Sequence, residues 1–285
     1  MTLRARWLGQ AGFWLTLAGR TPGPDDPPAA ADADAHLLVD PYLSDSLAVK
    51  YAGTVFPHLR LRPAPVEVAG LPALAGVLCS HAHTDHMDPD TLTPLLAAQP
   101  RLRLACPRPV LAEAARRSGA TPSRLDGLAD GEQVRYGPFT ITAVPAAHEQ
   151  RQHDADGADH FLGYVIEAGG VRVYHSGDCA PWPGQVDRLR GLDIDVALLP
   201  VNGRDAYRLA NGVPGNFTFA EAVDLCARTG IRTLVPHHWG MFAFNTVDPS
   251  TFDHLSAAAR GVTVRVPEHG GDLDLAGTDE RAGGR

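Results

Sequence analysis

The sequence predicts an α/β fold in which two similar halves pack sheet to sheet with helices outside, a four-layer αββα sandwich. Short β-type runs alternate with amphipathic segments along the 285 residues. Runs such as 77–79 and 196–199 are apolar at every position, as strands covered on both faces are. Each half begins with several strands, and its helices come late. We expect a single domain over residues 1–285, with 276–285 fraying because this tail is small and polar.

The elements follow from local patterns of apolar and turn-forming residues. Strands are predicted near 3–8, 12–18, 36–40, 74–79, 102–106, 132–136, 139–145, 162–167, 171–175, 195–200, 232–236 and 262–266. Helices are predicted near 91–98, 108–118, 183–190, 218–229 and 249–259. Residues 21–35 are rich in Pro, Asp and Ala and predict a long hairpin loop. The apolar stretch 7–18 loosely resembles a secretion signal, but polar and glycine residues interrupt it, and we interpret it as a strand pair.

Composition limits the classes of function. The formal net charge is −8, and the basic residues are scattered, so no nucleic-acid partner is expected. The sequence has no apolar run of about 18 residues, so no membrane partner is expected. The four cysteines form no CxxC pair, which fits a reducing compartment and predicts a cytoplasmic location.

Histidines concentrate after one predicted strand. The segment Ser80-His81-Ala82-His83-Thr84-Asp85-His86 directly follows an apolar run. Alternate side chains of an extended chain point the same way, so His81, His83 and Asp85 can converge, and His86 reaches from the next position. Imidazoles and carboxylates are the ligands that zinc, manganese and iron share. A solvated polar loop is the alternative, which this spacing at a strand end disfavours.

Three later segments repeat the pattern of a candidate ligand after an apolar strand. They lead to His148, to Asp178 and to the tandem pair His237-His238. Side chains delivered from several strand ends onto one edge are how α/β folds assemble their sites. The sequence therefore predicts a metal site that gathers residues from distant parts of the chain.

These residues and their flanking motifs resemble the metallo-β-lactamase superfamily and, within it, the L-ascorbate-6-phosphate lactonase group. The resemblance is carried by the His81 segment together with Trp7-Leu-Gly-Gln-Ala-Gly-Phe13, Asp40-Pro-Tyr-Leu-Ser44, Val144-Pro-Ala-Ala-His-Glu149, His175-Ser-Gly-Asp178, Pro200-Val-Asn-Gly-Arg204, Gly215-Asn-Phe-Thr218 and Pro236-His-His-Trp-Gly-Met-Phe242. It implies the metallo-β-lactamase fold and two divalent metal ions, manganese or zinc before iron. It also implies a small-molecule, anionic substrate and suggests an assembly of identical chains.

The resemblance also implies a role for each matching residue. One metal would be bound by His81, His83 and His148, the second by Asp85, His86 and His238, and Asp178 would bridge both. His238 is preferred to His237 because similar enzymes place the ligand just before an aromatic residue and glycine.

Four neighbouring residues have supporting or uncertain roles. Asp40 is expected to brace the ligand loops, and His237 to be structural or to lie beside the ligands. For His175, contact with a ligand and satisfaction by the backbone both stay open. Cys179 stands where relatives have threonine, and we expect it to pack as a small apolar residue rather than face the metals.

The implied reaction is hydrolysis of a lactone or similar ester of a phosphorylated, sugar-like molecule by a metal-bridging hydroxide. Asp85 and Asp178 would be the catalytic carboxylates, and Asp85 would pass the proton to the leaving alkoxide. Arg204 and Asn216 are candidates for substrate contacts. The alternatives are a small-molecule or lipid phosphodiesterase of the same superfamily and a non-catalytic metal-binding protein. Loops 42–62, 149–160 and 203–217 shape the pocket, and their geometry does not follow from the sequence.

Overall fold

The computed structural model describes residues 1–19 and 34–275 as two sheets of seven strands each, with helices between many of the strands. The strands are β1 (Thr2–Gly9), β2 (Gly12–Ala18), β3 (Ala35–Val39), β4 (Gly76–Leu78), β5 (Leu104–Pro107), β6 (Leu125–Leu128), β7 (Gln133–Tyr136), β8 (Phe139–Pro145), β9 (Leu162–Ala168), β10 (Val171–His175), β11 (Val196–Pro200), β12 (Thr233–His237), β13 (Thr263–Val264) and β14 (Asp272–Asp274). The helices are α1 (Ser46–Lys50), α2 (Pro89–Ala98), α3 (Leu111–Ser118), α4 (Gln185–Arg190), α5 (Ala206–Ala210), α6 (Phe219–Thr229) and α7 (His254–Ala259).

The sheets are the two inner layers. One has the order β14-β1-β2-β3-β4-β5-β6, and the other has the order β13-β12-β11-β10-β9-β8-β7. Apolar side chains from both, such as Phe13 and Phe139, are fully buried in one cluster between them. Helices α2 and α3 cover the first sheet through a second cluster, while α6 contacts β11 and β12 of the other sheet. The predicted αββα sandwich with two similar halves is confirmed.

Helix α6 shows how the local sequence sets an element. The Thr218 hydroxyl accepts a hydrogen bond from the Glu221 backbone N–H (3.3 Å), and the Glu221 carboxylate accepts one from the Thr218 N–H (2.8 Å). This capping box satisfies donors that the first turn leaves unpaired. Gly230 ends the helix in the left-handed region, with φ of 80°. The helix predicted near 218–229 is therefore confirmed almost to the residue.

Some observed elements had no signal in the sequence. Strands β6 and β14 are short and contain Asp or Gly, but each is held by pairing with a neighbour, β5 and β1 respectively. Helices α1 and α5 have five residues each, which is too short for a helical period to stand out. The predicted helix 249–259 divides into a 3₁₀ turn, Pro249–Thr251, and α7.

Strands β1 and β2 form the antiparallel pair predicted for the amino-terminal stretch, and β2 pairs in turn with β3. The predicted loop 21–35 and the predicted frayed tail 276–285 fall largely or wholly outside the described residues. Across residues 1–19 and 34–275, no helix has the length and apolar character needed to cross a bilayer.

Strand direction decides where the candidate ligands meet. Strands β8 and β10 both run antiparallel to β9, and β10, β11 and β12 are parallel to one another. The segments that follow β8, β10 and β12 therefore leave the second sheet at the same edge. The segment after β4 meets them there from the first sheet, because the Leu162 N–H donates to the carbonyl of Ser80 (2.9 Å).

Candidate metal centre

Side chains from these strand ends form two adjacent groups of candidate metal ligands. One ligand atom from each member of a group lies within 4.8 Å of the others. The first group contains His81, His83, His148 and Asp178, and the second contains Asp85, His86 and His238. The structure thus brings together every residue that the sequence nominates as a ligand.

Asp178 contacts both groups. Its Oδ1 lies 3.0 Å from His238 Nε2, and its Oδ2 lies 3.3 Å from His86 Nε2 and 3.5 Å from His148 Nε2. Gly177, just before Asp178, adopts φ of 60°, which favours glycine. A Cβ at this position would lie 2.6 Å from the Ser80 Cβ, so only glycine lets the two chain segments come this close. The carboxylate occupies the position expected of a shared ligand.

Buried polar atoms without hydrogen-bond partners concentrate in these groups. Among the described residues, such atoms include His81 Nε2, His86 Nε2, His148 Nδ1 and His238 Nδ1, and the adjacent His237 has both ring nitrogens unpaired as well. A buried polar atom left unpaired costs about 1–3 kcal/mol, so this many in one place indicates a missing partner. A divalent cation is such a partner, and imidazoles with carboxylates suit zinc, manganese and iron. The residues therefore fit a metal centre.

Burial and charge set the protonation of the imidazoles. Burial lowers the pKa of His81 well below its usual value and lowers the pKa of His148 to about 4. Both rings are consequently neutral near pH 7 and keep a lone pair for a cation. Burial also acts to lower the pKa of His86, but the carboxylates of Asp178 and Asp40 outweigh it, and that pKa is raised well above the usual value.

Asp40, directly after β3, links the two ligand groups through buried hydrogen bonds. Its carboxylate accepts hydrogen bonds from the Ser80 N–H (2.6 Å), the Ser80 hydroxyl (2.6 Å) and His86 Nδ1 (2.7 Å). The Ser80 hydroxyl also lies 3.0 Å from His81 Nδ1. One buried carboxylate thus fixes the Nδ1 side of a histidine in each group, which leaves both Nε2 atoms for a metal.

Two further residues of the site were not predicted from the sequence. Gln10, between β1 and β2, donates from its side-chain amide to Asp85 Oδ2 (3.1 Å), and its carbonyl accepts from the His238 N–H (2.9 Å). The Phe161 ring packs 5.1 Å from the His81 ring and 5.8 Å from the His148 ring. A polar residue in a tight turn between apolar strands was the signal available for Gln10; Phe161 had none.

His175 and His237 lie outside both ligand groups. His175 Nε2 contacts the carbonyl of Ala11 (2.8 Å), and its Nδ1 accepts from the Gly177 N–H (3.0 Å), so the backbone satisfies this ring. The His237 ring stacks on it at 5.1 Å with an interplanar angle of 11°. Both histidines support the strand ends from the interior, and His238 is the member of the tandem pair that faces the ligands.

Cys179 packs away from the ligand groups. Its side chain is fully buried in the core, where the sulfur lies 3.4 Å from Gln185 Nε2 and 3.5 Å from the Ala147 nitrogen. Burial raises the pKa of the thiol to about 12. The sulfur therefore stays protonated and acts as a small core group.

A cavity of about 400 Å³ opens over the ligand groups. His83, Asp85, His148, Asp178 and His238 line its floor. Segments 47–58 and 211–214 supply much of the wall, so two of the three loops expected to shape the pocket do so. Residues 149–160, the third loop, do not line it.

Arg204 and Asn216, the predicted substrate contacts, lie outside the lining of this cavity. Arg204 donates to both carboxylate oxygens of Glu221 (2.7 and 2.6 Å) and to the Asn216 carbonyl (3.0 Å). Asn216 is fully buried, and its side-chain amide donates to Asn202 Oδ1 (3.0 Å). Neither residue lines the cavity, because both hold the loop before α6 in place.

The tandem histidines give a direct test of the ligand set. His238→Ala is expected to remove metal from the second group, whereas His237→Ala should keep the metal content of the wild type, because His237 belongs to neither group. Elemental analysis after dialysis against metal-free buffer measures both. Metal loss in the His237 variant, with His238→Ala unaffected, would contradict this assignment.

Comparisons with known proteins show which family and fold the chain resembles. Residues 36–239 match the family model described as Beta-lactamase superfamily domain. The chain is 31% identical over 249 residues to an uncharacterized protein of Mycobacterium tuberculosis, covering 85% of this chain but only 64% of that relative. It is 28% identical to a UPF0173 metal-dependent hydrolase of Opitutus terrae, covering 96% of this chain and all of the relative. The solved structure of an isothiocyanate hydrolase from Delia radicum gut bacteria has a similar fold, with a TM-score of 0.68 at 17% identity over 95% of this chain and 98% of that one.

Proposed function

The chain belongs to the Beta-lactamase superfamily domain family and has the metallo-β-lactamase fold, and from that premise we propose that it is a metal-dependent hydrolase of small molecules. The observation that carries the proposal is the pair of ligand groups that share contacts with Asp178 on the floor of the cavity. Clustered ligand atoms without partners indicate a metal, and an open cavity above them gives a substrate access to it.

The chain's own residues divide the work of such a reaction. One ion would be held by His81, His83 and His148, a second by Asp85, His86 and His238, and Asp178 would contribute to both. When bound, divalent ions would supply Lewis acidity, which lowers the pKa of water towards neutral pH and polarises the bond that breaks.

The carboxylate of Asp85 is the group best placed to move a proton. It lines the cavity, and the Gln10 amide holds its Oδ2 at 3.1 Å. A fixed orientation lets the carboxylate receive a proton on one side and release it to the leaving oxygen. Asp40 contacts His86 and Phe161 packs on His81, and these contacts hold the two rings at fixed angles.

We propose a lactone or a similar ester of an anionic, sugar-like molecule as the substrate and manganese or zinc as the metal. The resemblance of the flanking motifs to the L-ascorbate-6-phosphate lactonase group supports the bond type. The cavity volume of about 400 Å³ suits a small molecule.

The proposal is tested with chelator-treated protein reloaded with manganese, zinc or iron. Each form is assayed on a panel of sugar lactones, simple esters and small phosphodiesters. Metal-dependent opening of lactones or esters is expected. Turnover of phosphodiesters alone would show that the protein is a phosphodiesterase and not a lactonase or esterase. Metal binding without turnover of any compound would favour a non-catalytic metal-binding protein.

A further inference from the structure

The charge of the cavity wall runs against the charge of the whole chain. The chain has a formal net charge of −8, but the wall carries two cations, Lys50 and Arg117. Among the described residues, the acidic members of the lining are the two ligand candidates Asp85 and Asp178. Because bound metal ions would neutralise those carboxylates, the working cavity favours an anion.

Lys50 and Arg117 differ in the partners that surround their charges. The Arg117 guanidinium donates to Glu113 (2.5 Å), a carboxylate that it shares with Arg116, and to the Met87 carbonyl (3.0 Å), so other partners already hold this side chain in place. Lys50 Nζ lies 3.4 Å from the Thr84 hydroxyl and 5.1 Å from the centre of the Tyr51 ring. In the part of the chain that the structure describes, it forms no ion pair. Its ammonium group therefore remains available to an anionic ligand.

Lys50 lies beside the ligand loop on a fixed segment. Thr84, its hydroxyl partner, stands between His83 and Asp85 in the chain. The helix that ends at Lys50 is anchored to α2, because the Ser46 hydroxyl donates to the Asp88 carboxylate (2.8 Å). An anion bound at Lys50 Nζ would consequently lie close to the two ligand groups, but at the wall of the cavity rather than at its floor.

An apolar surface adjoins this cation. The Tyr51 ring stacks on the ring of His58 at 4.1 Å, and Phe56 stacks on Phe244 at 4.7 Å. Tyr51, Phe56 and His58 all line the cavity, together with Val213 on another segment. Rings held by stacking offer a flat face that packs against an uncharged ligand body.

We propose that Lys50 binds a phosphate or carboxylate group of the substrate, whose uncharged body packs against Tyr51 and Phe56. This inference rests on the proposed function and deepens it, since it assigns the anionic part of the substrate to a residue. It places at Lys50 the contact that the sequence assigned to Arg204.

Binding can be measured without turnover by labelling Lys50. The label is specific because Lys50 is the only lysine of the chain. Reductive methylation with ¹³C-formaldehyde labels Lys50 and the amino terminus, and the dimethyl-ammonium group keeps its charge. Titration with phenyl phosphate is expected to shift the Lys50 NMR signal, whereas benzyl alcohol should not. Calorimetry should show that Lys50→Met weakens phenyl phosphate binding about 10-fold, as loss of a charged hydrogen bond does. Binding with no signal shift and equal affinity in Lys50→Met would overturn the inference.

Kinetics separate this role from a structural one. For matched anionic and neutral substrates, Lys50→Met should raise KM about 10-fold for the anionic compound alone, with kcat little changed, and Lys50→Arg should restore it. Arg101→Met removes an exposed cation outside the cavity and should change neither constant. If Lys50→Met changed KM by the same factor for the anionic and the neutral substrate, the inference would be contradicted, but the proposed hydrolase activity would not. Absence of any hydrolysis, with phenyl phosphate binding still dependent on Lys50, would reject the proposed function alone.

Discussion

Asp178→Asn is expected to abolish hydrolysis, with turnover falling at least ~10³-fold, and to lower the metal content of the protein. The carboxylate lies 3.0 Å from His238 Nε2 and 3.3 Å from His86 Nε2, and it belongs to the other group as well. An amide keeps the shape of the side chain but removes the charge that two neighbouring cations would share. Loss of this one charge therefore weakens both positions at once. Elemental analysis and initial rates on the best substrate of the panel measure the two effects.

Asp187→Asn is the matched control for that experiment. Asp187 is an exposed carboxylate of α4 whose ion pair with Arg190 is a surface contact of 3.3 Å, so its metal content and turnover should equal those of the wild type. An Asp178→Asn protein that retains full metal and turns over within 10-fold of the wild type would show that Asp178 is not a shared ligand.

Asp40 carries the second large effect, on stability as well as metal binding. Asp40→Ala is expected to lower the free energy of unfolding by ~3–5 kcal/mol, because it leaves the partners of a buried carboxylate unpaired. It also places alanine at φ of 45°, which asparagine tolerates better. Asp40→Asn should therefore fold and show metal affinity reduced ~10–100-fold, since the orientation of His81 and His86 loosens. Urea unfolding of metal-free protein and metal titration check the two variants.

Asp88 gives the control for burial without metal contact. It is also fully buried, and its carboxylate accepts hydrogen bonds from Ser46 and Thr91 at the start of α2. Asp88→Asn should lose stability but keep the metal affinity of the wild type. Equal loss of metal affinity in the Asp40 and Asp88 variants would mean that Asp40 acts through general stability and not by orienting histidines.

The candidate ligands could be predicted because their signals are local. His81, His148 and Asp178 each follow a short segment rich in apolar and β-branched residues, which predicts a strand, and strand ends in an α/β fold converge by topology. The tandem pair was harder, because adjacent residues on a strand point in opposite directions. There the resemblance of the flanking motif indicated His238 before the structure did.

The lining of the cavity could not be predicted because it depends on partners distant in the sequence. Arg204 is an attractive anion ligand until its ion pair with Glu221 is known, and that carboxylate belongs to a helix cap. Lys50 lies at the end of a five-residue helix with no periodic signal. Its segment is shaped by Arg60, which donates to the carbonyls of Ser44 (2.9 Å) and Tyr42 (2.5 Å). Contacts of this kind are tertiary and leave no mark on local pattern.

The spread of the ligands from His81 to His238 sets the order in which the centre can form on the ribosome. The first three histidines emerge early, but the first group stays incomplete until Asp178 has been synthesised, and the second until His238 has. A nascent chain therefore presents only part of each ligand set, and a preformed metal site rarely exists before the chain has folded. Both complete ligand sets are thus a property of the finished, folded chain.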